Sequence, residues 1–340
     1  MPSGGATFTP RLSPRPKPYD HWNVIQSAVV KSIRNPILCA LFTTYVFYPL
    51  YSEAVEMWIE RFGKDESSER LFFLVAVSVV HTFMYLTWNS VFLYWDRNGI
   101  FEKYKLDRTP VMGPQESLIT KTWIEAFVGQ VVTGPLVLYY LYPVFKYFGA
   151  PSMDTPLPSF QRQFTVYFVA NVFNGWAFYW SHRLVHSKSL YAWIHKKHHT
   201  YKGTIGFAAE YAHPIEQIVS NQGPTIGGCL LMGSHFCVLL MWLINRLQQT
   251  YEGHSGYCFY GTFLHRIGLT NAEAAAYHDY HHTGNRGNFG GPAYLDHFFG
   301  TMDAWLDIGG VEGYIAKKRS GSVLNPVLLE KYMKEKKKKK

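Results

Sequence analysis

The sequence predicts an all-α membrane protein in which about four transmembrane helices, arranged as two hairpins, are capped by a cytosolic, histidine-rich helical domain. Three observations support this fold class. Four long apolar segments precede residue 182, thirteen of the fifteen histidines lie between His182 and His297, and aromatic residues make up 17% of the chain, as much as the charged residues. Average soluble domains carry roughly 25% charge, and Tyr and Trp favour the boundary between membrane and water.

The apolar segments cover residues 36–51, 71–95, 126–145 and 164–181. The second has no charged residue over a length that suffices to span a bilayer, and Gly134-Pro135 should kink the third rather than end it. Lys and Arg are frequent before the first segment and after the second, whereas the loop between these segments is acidic. The positive-inside rule therefore places the N-terminus in the cytosol, and four crossings return the chain there at His182.

A fifth apolar stretch, residues 217–245, is interrupted by several glycines and by Pro224. One interpretation is a plain fifth span. That span would place the last histidine cluster across the membrane from the others, so we favour a hairpin that enters the membrane and returns on the same side.

These segments divide the chain into four parts: a flexible, basic N-terminal arm (1–35), transmembrane segments 1–3 with their loops (36–160), a histidine-rich domain with segment 4 and the hairpin (161–310), and a basic C-terminal tail (311–340). The net charge of +9 comes from dispersed or terminal residues, which favours an anionic membrane face as partner and no nucleic acid. Lys337 and Lys338 form a dilysine pattern that resembles a retrieval signal for the endoplasmic reticulum, or else a solvated tail attracted to lipid.

Three histidine clusters have the spacing of metal ligands. Residues three and four apart share one face of a helix, so each cluster can direct two or three imidazoles at one point. Burying many imidazoles is costly unless something satisfies them, and a site for two metal ions would do so. Imidazole suits zinc, copper, iron and nickel, while several nitrogen ligands with open positions favour redox iron. The predicted ligands are His182, His186, His195, His198, His199, His278, His281 and His282.

Other residues near these clusters receive individual assignments. His254 is predicted to be a further ligand. His213 is either a ligand or a helix-start or ligand-supporting residue, and His297 is a ligand-supporting or structural residue. We expect no catalytic residue beyond the metal ligands. Carboxylates often accept the second N–H of a metal-bound histidine; Glu216 also lies near the clusters, and the candidates are Glu210, Glu252, Asp279 and Asp296. The aromatic residues that could line the substrate approach are Trp180, Trp193, Tyr211, Tyr257 and Tyr277.

The strings HRLVH, HKKHH and HDYHH, together with GFAAEYAHPIE, EGHSGY and DHFFGT, resemble the fatty acid hydroxylase/sterol desaturase superfamily over about residues 160–305, and most closely its C-4 methylsterol oxidases. The resemblance implies two iron ions, O2 as co-substrate, and electrons from NAD(P)H through cytochrome b5 and its reductase. It implies stepwise oxidation of the C-4 methyl group of 4-methyl and 4,4-dimethyl sterols to the carboxylate. A downstream C-4 decarboxylase complex would be a partner, and the enzyme would lie in the endoplasmic reticulum membrane with both termini and the histidine clusters cytosolic.

Several alternatives stay open at this point. The same site could support sterol C-5 desaturation, sterol side-chain hydroxylation or fatty acid hydroxylation. From different classes, the chain could be a haem-binding membrane electron carrier with paired axial histidines, or a non-catalytic membrane protein that binds metal or senses lipid.

Overall fold

The protein is helical throughout the part of the chain that the computed structural model describes, residues 21–106 and 116–319. An isolated β-bridge pairs Lys105 with Tyr257. The predictions for residues 1–20 and for the lysine tail beyond residue 319 lie outside the described residues.

Fourteen α-helices are present in the described residues. They are α1 (His21–Phe42), α2 (Tyr48–Phe62), α3 (Glu66–Asn98), α4 (Glu116–Val128), α5 (Gly134–Tyr147), α6 (Phe160–Val185), α7 (Pro214–Glu216), α8 (Gly223–Leu231), α9 (Phe236–His254), α10 (Phe263–Arg266), α11 (Ala272–Gly284), α12 (Tyr294–Phe298), α13 (Asp303–Asp307) and α14 (Gly310–Arg319). Wide π-helical turns join α1 to α2 (Thr43–Phe47), α4 to α5 (Gly129–Thr133) and α7 to α8 (Gln217–Gln222), and a fourth lies at Tyr191–His195.

Two helices of the described part, Glu66–Asn98 and Ser117–Tyr147, are long and apolar enough to cross a membrane. They correspond to the second and third predicted segments. The second of these helices continues past Pro135, because the wide turn at Gly129–Thr133 precedes the proline. The first and fourth predicted segments lie in α1–α2 and α6, and these helices fall outside the same length and hydropathy criteria. The two long apolar helices therefore support a membrane protein. The predicted total of four crossings stays a prediction.

Residues 21–35 are part of α1, so the prediction of a flexible arm is wrong for them. The helix packs along α6 and also reaches α11. Asn171 on α6 donates to the Ser32 hydroxyl (3.3 Å), and Lys31 forms an ion pair with Glu273 on α11 (2.6 Å). These polar contacts fix the N-terminal helix against the histidine-bearing part of the chain.

The glycine-rich fifth apolar stretch folds as α8, a tight turn and α9. Gly233 in this turn has a φ of +53°, and a Cβ atom there would lie 2.3 Å from the carbonyl oxygen of Phe148, so only glycine fits. Gly228 lets α8 approach α6, because a Cβ atom at this position would lie 2.5 Å from the Cα of Ala170. The reversal brings α9 against α3. The placement of this stretch inside a membrane stays a prediction.

The last described helix, α14, packs on α11. Buried Asp279 of α11 accepts a hydrogen bond from the Tyr314 hydroxyl (2.7 Å) and pairs with buried Lys318 (3.0 Å). Residues 311–319 are therefore part of the folded domain, which corrects their assignment to the basic tail.

We expect Gly228→Val to destabilise the protein by about 1–3 kcal/mol, because overpacking between α6 and α8 forces backbone shifts. The matched control is Gly129→Ala, since a Cβ atom at Gly129 would have no neighbour within 4 Å. Thermal unfolding of the purified proteins in detergent measures both. Equal unfolding temperatures for the two variants would contradict the close α6–α8 packing.

Candidate metal centre

Nine histidines form two groups, and within each group every ring offers a nitrogen within 4.8 Å of the others. The five-histidine group comprises His182, His186, His195, His199 and His281. The four-histidine group comprises His198, His254, His278 and His282. Every predicted ligand except His213 belongs to one of these groups.

Helix geometry explains which histidines of each sequence cluster enter which of the two spatial groups. Histidines four positions apart stay together, as His182 with His186 and His278 with His282 do, because they share one helix face. The histidine three positions after the start of a cluster joins the other group: His198 lies with the four-histidine group and His281 with the five-histidine group. Each HxxHH cluster therefore supplies ligands to both groups and ties them together.

The Nε2 atoms converge within each group. His195 Nε2 lies 3.1 Å from His182 Nε2 and 3.0 Å from His199 Nε2. In the other group, His278 Nε2 lies 2.8 Å from His254 Nε2 and 3.0 Å from His282 Nε2. Nitrogens bound at about 2.1 Å to one ion, at right angles, lie about 3 Å apart. The spacing is therefore that of ligands around a shared ion.

The Nδ1 atoms show why a cation fits between these rings. His182 Nδ1 lies 2.7 Å from the carbonyl oxygen of Phe289, and His281 Nδ1 lies 2.6 Å from that of Gly287. A carbonyl oxygen only accepts, so Nδ1 carries the proton and the neutral ring has its lone pair on Nε2. His254 and His282 are fixed in the same way by the carbonyls of Thr250 and Tyr201 (2.8 and 2.9 Å). Their lone pairs point towards neighbouring nitrogens, an arrangement that a bound metal ion stabilises.

Two carboxylates support this geometry. Glu216 accepts the Nδ1 proton of His195 (2.7 Å), and burial raises the pKa of Glu216 to about 8. Asp296 acts one step further away, because it accepts the backbone N–H groups of Phe289 and Gly290 (2.7 and 2.6 Å). It thereby holds the loop whose carbonyls orient His182 and His281. Glu216 lies near the clusters in sequence but was not among the four chosen candidates, and the structure places it on the Nδ1 atom of His195.

Burial keeps these imidazoles neutral. It lowers the pKa of His254 to about 4, and burial together with neighbouring histidines lowers the pKa of His186 to about 2. Metal binding needs the neutral ring, so the ligands are ready to bind at neutral pH without losing a proton.

Three predicted carboxylate partners have other roles. Glu210 contacts His81, Gln130 and Tyr251. Glu252 accepts the backbone N–H of Asn271 (2.8 Å), and Asp279 anchors α14 as described above. These contacts correct their assignment beside the ligands.

His213 is a helix-start residue. It lies outside both groups, and its Nδ1 accepts the backbone N–H of Ile215 (3.2 Å) at the beginning of α7. Of its predicted roles, the structure supports this one, and the ligand assignment is corrected. His297 also lies outside both groups.

A cavity of about 670 Å³ is lined by histidines of both groups and by apolar helices, and its volume is within the size range of ligand-binding pockets. Its wall includes His182, His195, His198, His254 and His278. Of the predicted aromatic lining residues only Tyr277 contributes to it. Trp193 is 84% exposed and Trp180 lies at the surface, whereas Tyr211 and Tyr257 are buried against other aromatic rings.

Removing one predicted ligand should lower the amount of metal bound per chain. We expect His195→Ala to reduce metal content per chain, and Glu216→Gln to weaken metal binding about 10- to 100-fold, because the partner of a ligand fixes its orientation. His213→Ala is the matched control, since His213 lies outside both groups. Elemental analysis of the purified proteins measures the outcome, and an equal loss in the control would contradict the assignment.

Comparisons with known proteins agree with this centre. The fatty acid hydroxylase family model matches residues 166–301, which contain all nine histidines. A methylsterol monooxygenase (2-2) of Arabidopsis thaliana is 35% identical over 233 residues, covering 66% of this chain and 83% of the relative. A very-long-chain aldehyde decarbonylase of Oryza sativa is 33% identical over 240 residues (67% and 84%). The human fatty acid hydroxylase domain-containing protein 2 is 33% identical over 252 residues (72% and 71%).

No solved structure matches the chain significantly. The family is one of iron-dependent oxidoreductases, and its model matches the part of the chain that contains the histidine groups. The chain therefore belongs to the fatty acid hydroxylase family, close to its methylsterol monooxygenases, and is a membrane oxidoreductase of the non-haem iron type.

Proposed function

We propose that the protein is a di-iron monooxygenase that oxidises the C-4 methyl group of 4-methyl and 4,4-dimethyl sterols. The observation that carries this proposal is the pair of converging all-histidine groups, whose residues line a cavity between apolar helices. The similarity to methylsterol monooxygenases supports a sterol as the substrate.

The reaction needs two electrons and two protons in each round. One oxygen atom of O2 enters the substrate as a hydroxyl group and the other leaves as water. Two further rounds give the aldehyde and the carboxylate, which a separate C-4 decarboxylase complex would consume. Two iron ions, one in each histidine group, would supply the O2-activating chemistry. We propose NAD(P)H as the electron source, through cytochrome b5 and its reductase.

The side chains of this protein have distinct parts in that scheme. Neutral imidazoles would hold the ions, and acceptors at Nδ1 keep five of the nine rings in one orientation: those of His182, His195, His254, His281 and His282. Glu216, whose pKa is raised to about 8 by burial, is placed to hold or release a proton at His195 Nδ1. The apolar part of the cavity wall binds the sterol rings and excludes water, which strengthens every electrostatic interaction within.

The proposed topology adds α1–α2 and α6 to the two long apolar helices, giving four crossings. Helices α1 and α6 each carry exposed apolar residues at every fourth position. Residues with this spacing form a stripe along one face of a helix. On α1 and the following turn these are Val29, Ile33, Ile37, Leu41 and Tyr45; on α6 they are Phe168, Val172, Trp176, Trp180 and Leu184. Lipid is the occupant that we propose for these stripes, with the endoplasmic reticulum as the membrane and the histidines and termini in the cytosol.

A haem-binding electron carrier fits the geometry poorly. Axial nitrogens at about 2.0 Å from a haem iron lie about 4 Å apart, with the porphyrin between them. Neighbouring Nε2 atoms here are 2.8–3.3 Å apart. Five and four histidine nitrogens converge in the two groups, whereas a haem iron takes two axial ligands.

The test uses membranes that contain the protein, with 4,4-dimethylsterol, NADH and O2. We expect loss of the 4-methyl sterol and formation of the 4-hydroxymethyl, aldehyde and carboxylate products, identified by mass spectrometry. His198→Ala should abolish the conversion, because it removes a ligand of the four-histidine group.

Matched membranes with His213→Ala should retain activity. A new double bond without C-4 oxidation, or hydroxylation of an acyl chain in place of the sterol, would overturn the assigned reaction and indicate another member of the same family.

A further inference from the structure

The cavity contains a second polar site besides the histidine groups. The Glu210 carboxylate accepts hydrogen bonds from the Tyr251 hydroxyl (2.5 Å) and the Gln130 amide (3.0 Å), and lies 3.3 Å from His81 Nε2. These four side chains come from α3, the turn between α4 and α5, the loop after the second histidine cluster, and α9. All four line the cavity.

Placing a carboxylate and a histidine among apolar helices costs free energy. His81 lies in the apolar helix Glu66–Asn98, and ionisable residues on membrane helices are expensive and usually face a functional cavity. Apolar side chains would hold the helices together as well at less cost. The cluster therefore indicates recognition of a polar group on an otherwise apolar ligand.

The chemistry of the cluster favours a neutral hydroxyl group. A carboxylate only accepts hydrogen bonds, so Glu210 attracts an O–H donor and repels an anionic head group. The lysines of the cavity wall are already paired: Lys31 with Glu273 (2.6 Å) and Lys197 with Glu125 (2.6 Å). A hydroxyl group can donate to Glu210 while its oxygen faces His81.

The position of this cluster determines how far a bound hydroxyl group would lie from the metal centre. Tyr251 lies three residues before His254 on α9, about 4.5 Å along the helix axis and on the same face. Arg246, the cation that could hold an anionic group, lies eight residues before His254, about 12 Å along the axis. Along α9, the residue that holds Glu210 is thus less than one turn from His254, whereas Arg246 is about two turns away.

We propose that Glu210 and His81 form a subsite that binds the hydroxyl group of a lipid alcohol, and that this subsite places a carbon only a few bonds from the hydroxyl at the metal centre. The inference rests on the proposed function and deepens it. In a 4-methyl sterol the hydroxyl-bearing carbon is the direct neighbour of C-4, as this arrangement requires.

The experiment compares two substrates on one enzyme preparation: a 4,4-dimethylsterol with a free hydroxyl group and its 3-O-methyl ether. We expect the wild type to prefer the free alcohol about 10- to 100-fold in kcat/KM, since the ether has no O–H to donate to the Glu210 carboxylate and its methyl group would press against the polar cluster. Glu210→Leu and His81→Leu should bring the ratio close to one. Glu210→Gln, which retains an acceptor, should keep part of the preference.

Ser78→Ala is the matched control. Ser78 lies on the same helix three residues before His81 and lines the same cavity, and its substitution should leave the ratio unchanged. A ratio measured on one preparation does not depend on how much of the protein is folded. If Glu210→Leu does not fold, His81→Leu provides the same test.

Three outcomes would overturn the subsite: no preference in the wild type, a wild-type ratio in both leucine variants, or an equal change in Ser78→Ala. If the wild type oxidises neither sterol, the proposed function fails separately. Equilibrium binding of the radiolabelled sterol and of its methyl ether, without reductant, then tests the subsite, and equal affinities for the two would overturn it.

Discussion

The orientation of the histidine rings by their Nδ1 protons is the constraint on which the rest of the structure depends. A ring whose Nδ1 donates to a backbone carbonyl can present only Nε2 to a metal ion. His182 and His281 donate to carbonyls of the same short loop, Gly287 to Phe289. That loop in turn depends on Asp296, which accepts two of its N–H groups. A residue that contacts neither histidine ring thereby sets the orientation of ligands on two different helices, α6 and α11.

The same constraint couples metal binding to folding. Without a cation, the inward-pointing lone pairs of each group repel one another in a site from which water is largely excluded. Binding free energy at such a site contributes to the stability of the folded chain. The five-histidine group joins α6, the 191–200 segment and α11, and the four-histidine group adds α9. A metal ion in each would hold together elements that lie up to a hundred residues apart in the sequence.

Sequence reasoning predicted which histidines come together, because helical spacing alone brings His182 next to His186 and His278 next to His282. It did not predict how the ligands are divided between two groups, since neighbours such as His198 and His199 separate according to three-dimensional packing. The carboxylates were harder to place. Glu210, Glu252 and Asp279 are near the histidines in sequence, yet their contacts lie with other elements. The N-terminal arm was misjudged at residues 21–35 because the pairing of Lys31 with Glu273 depends on a helix 240 residues away.

Helix α9 would join the proposed hydroxyl subsite and the proposed metal centre in one unit. It packs against α3 after the reversal at Gly233, and its C-terminal part carries both Tyr251 and His254. A shift of this helix would move Tyr251, which holds Glu210, together with His254. The distance between a hydroxyl group bound at Glu210 and the metal centre would therefore be set by a single helix. A lipid whose reactive carbon lies far from its hydroxyl group could not satisfy both proposed sites at once, which would favour oxidation next to an alcohol over oxidation in the middle of an acyl chain.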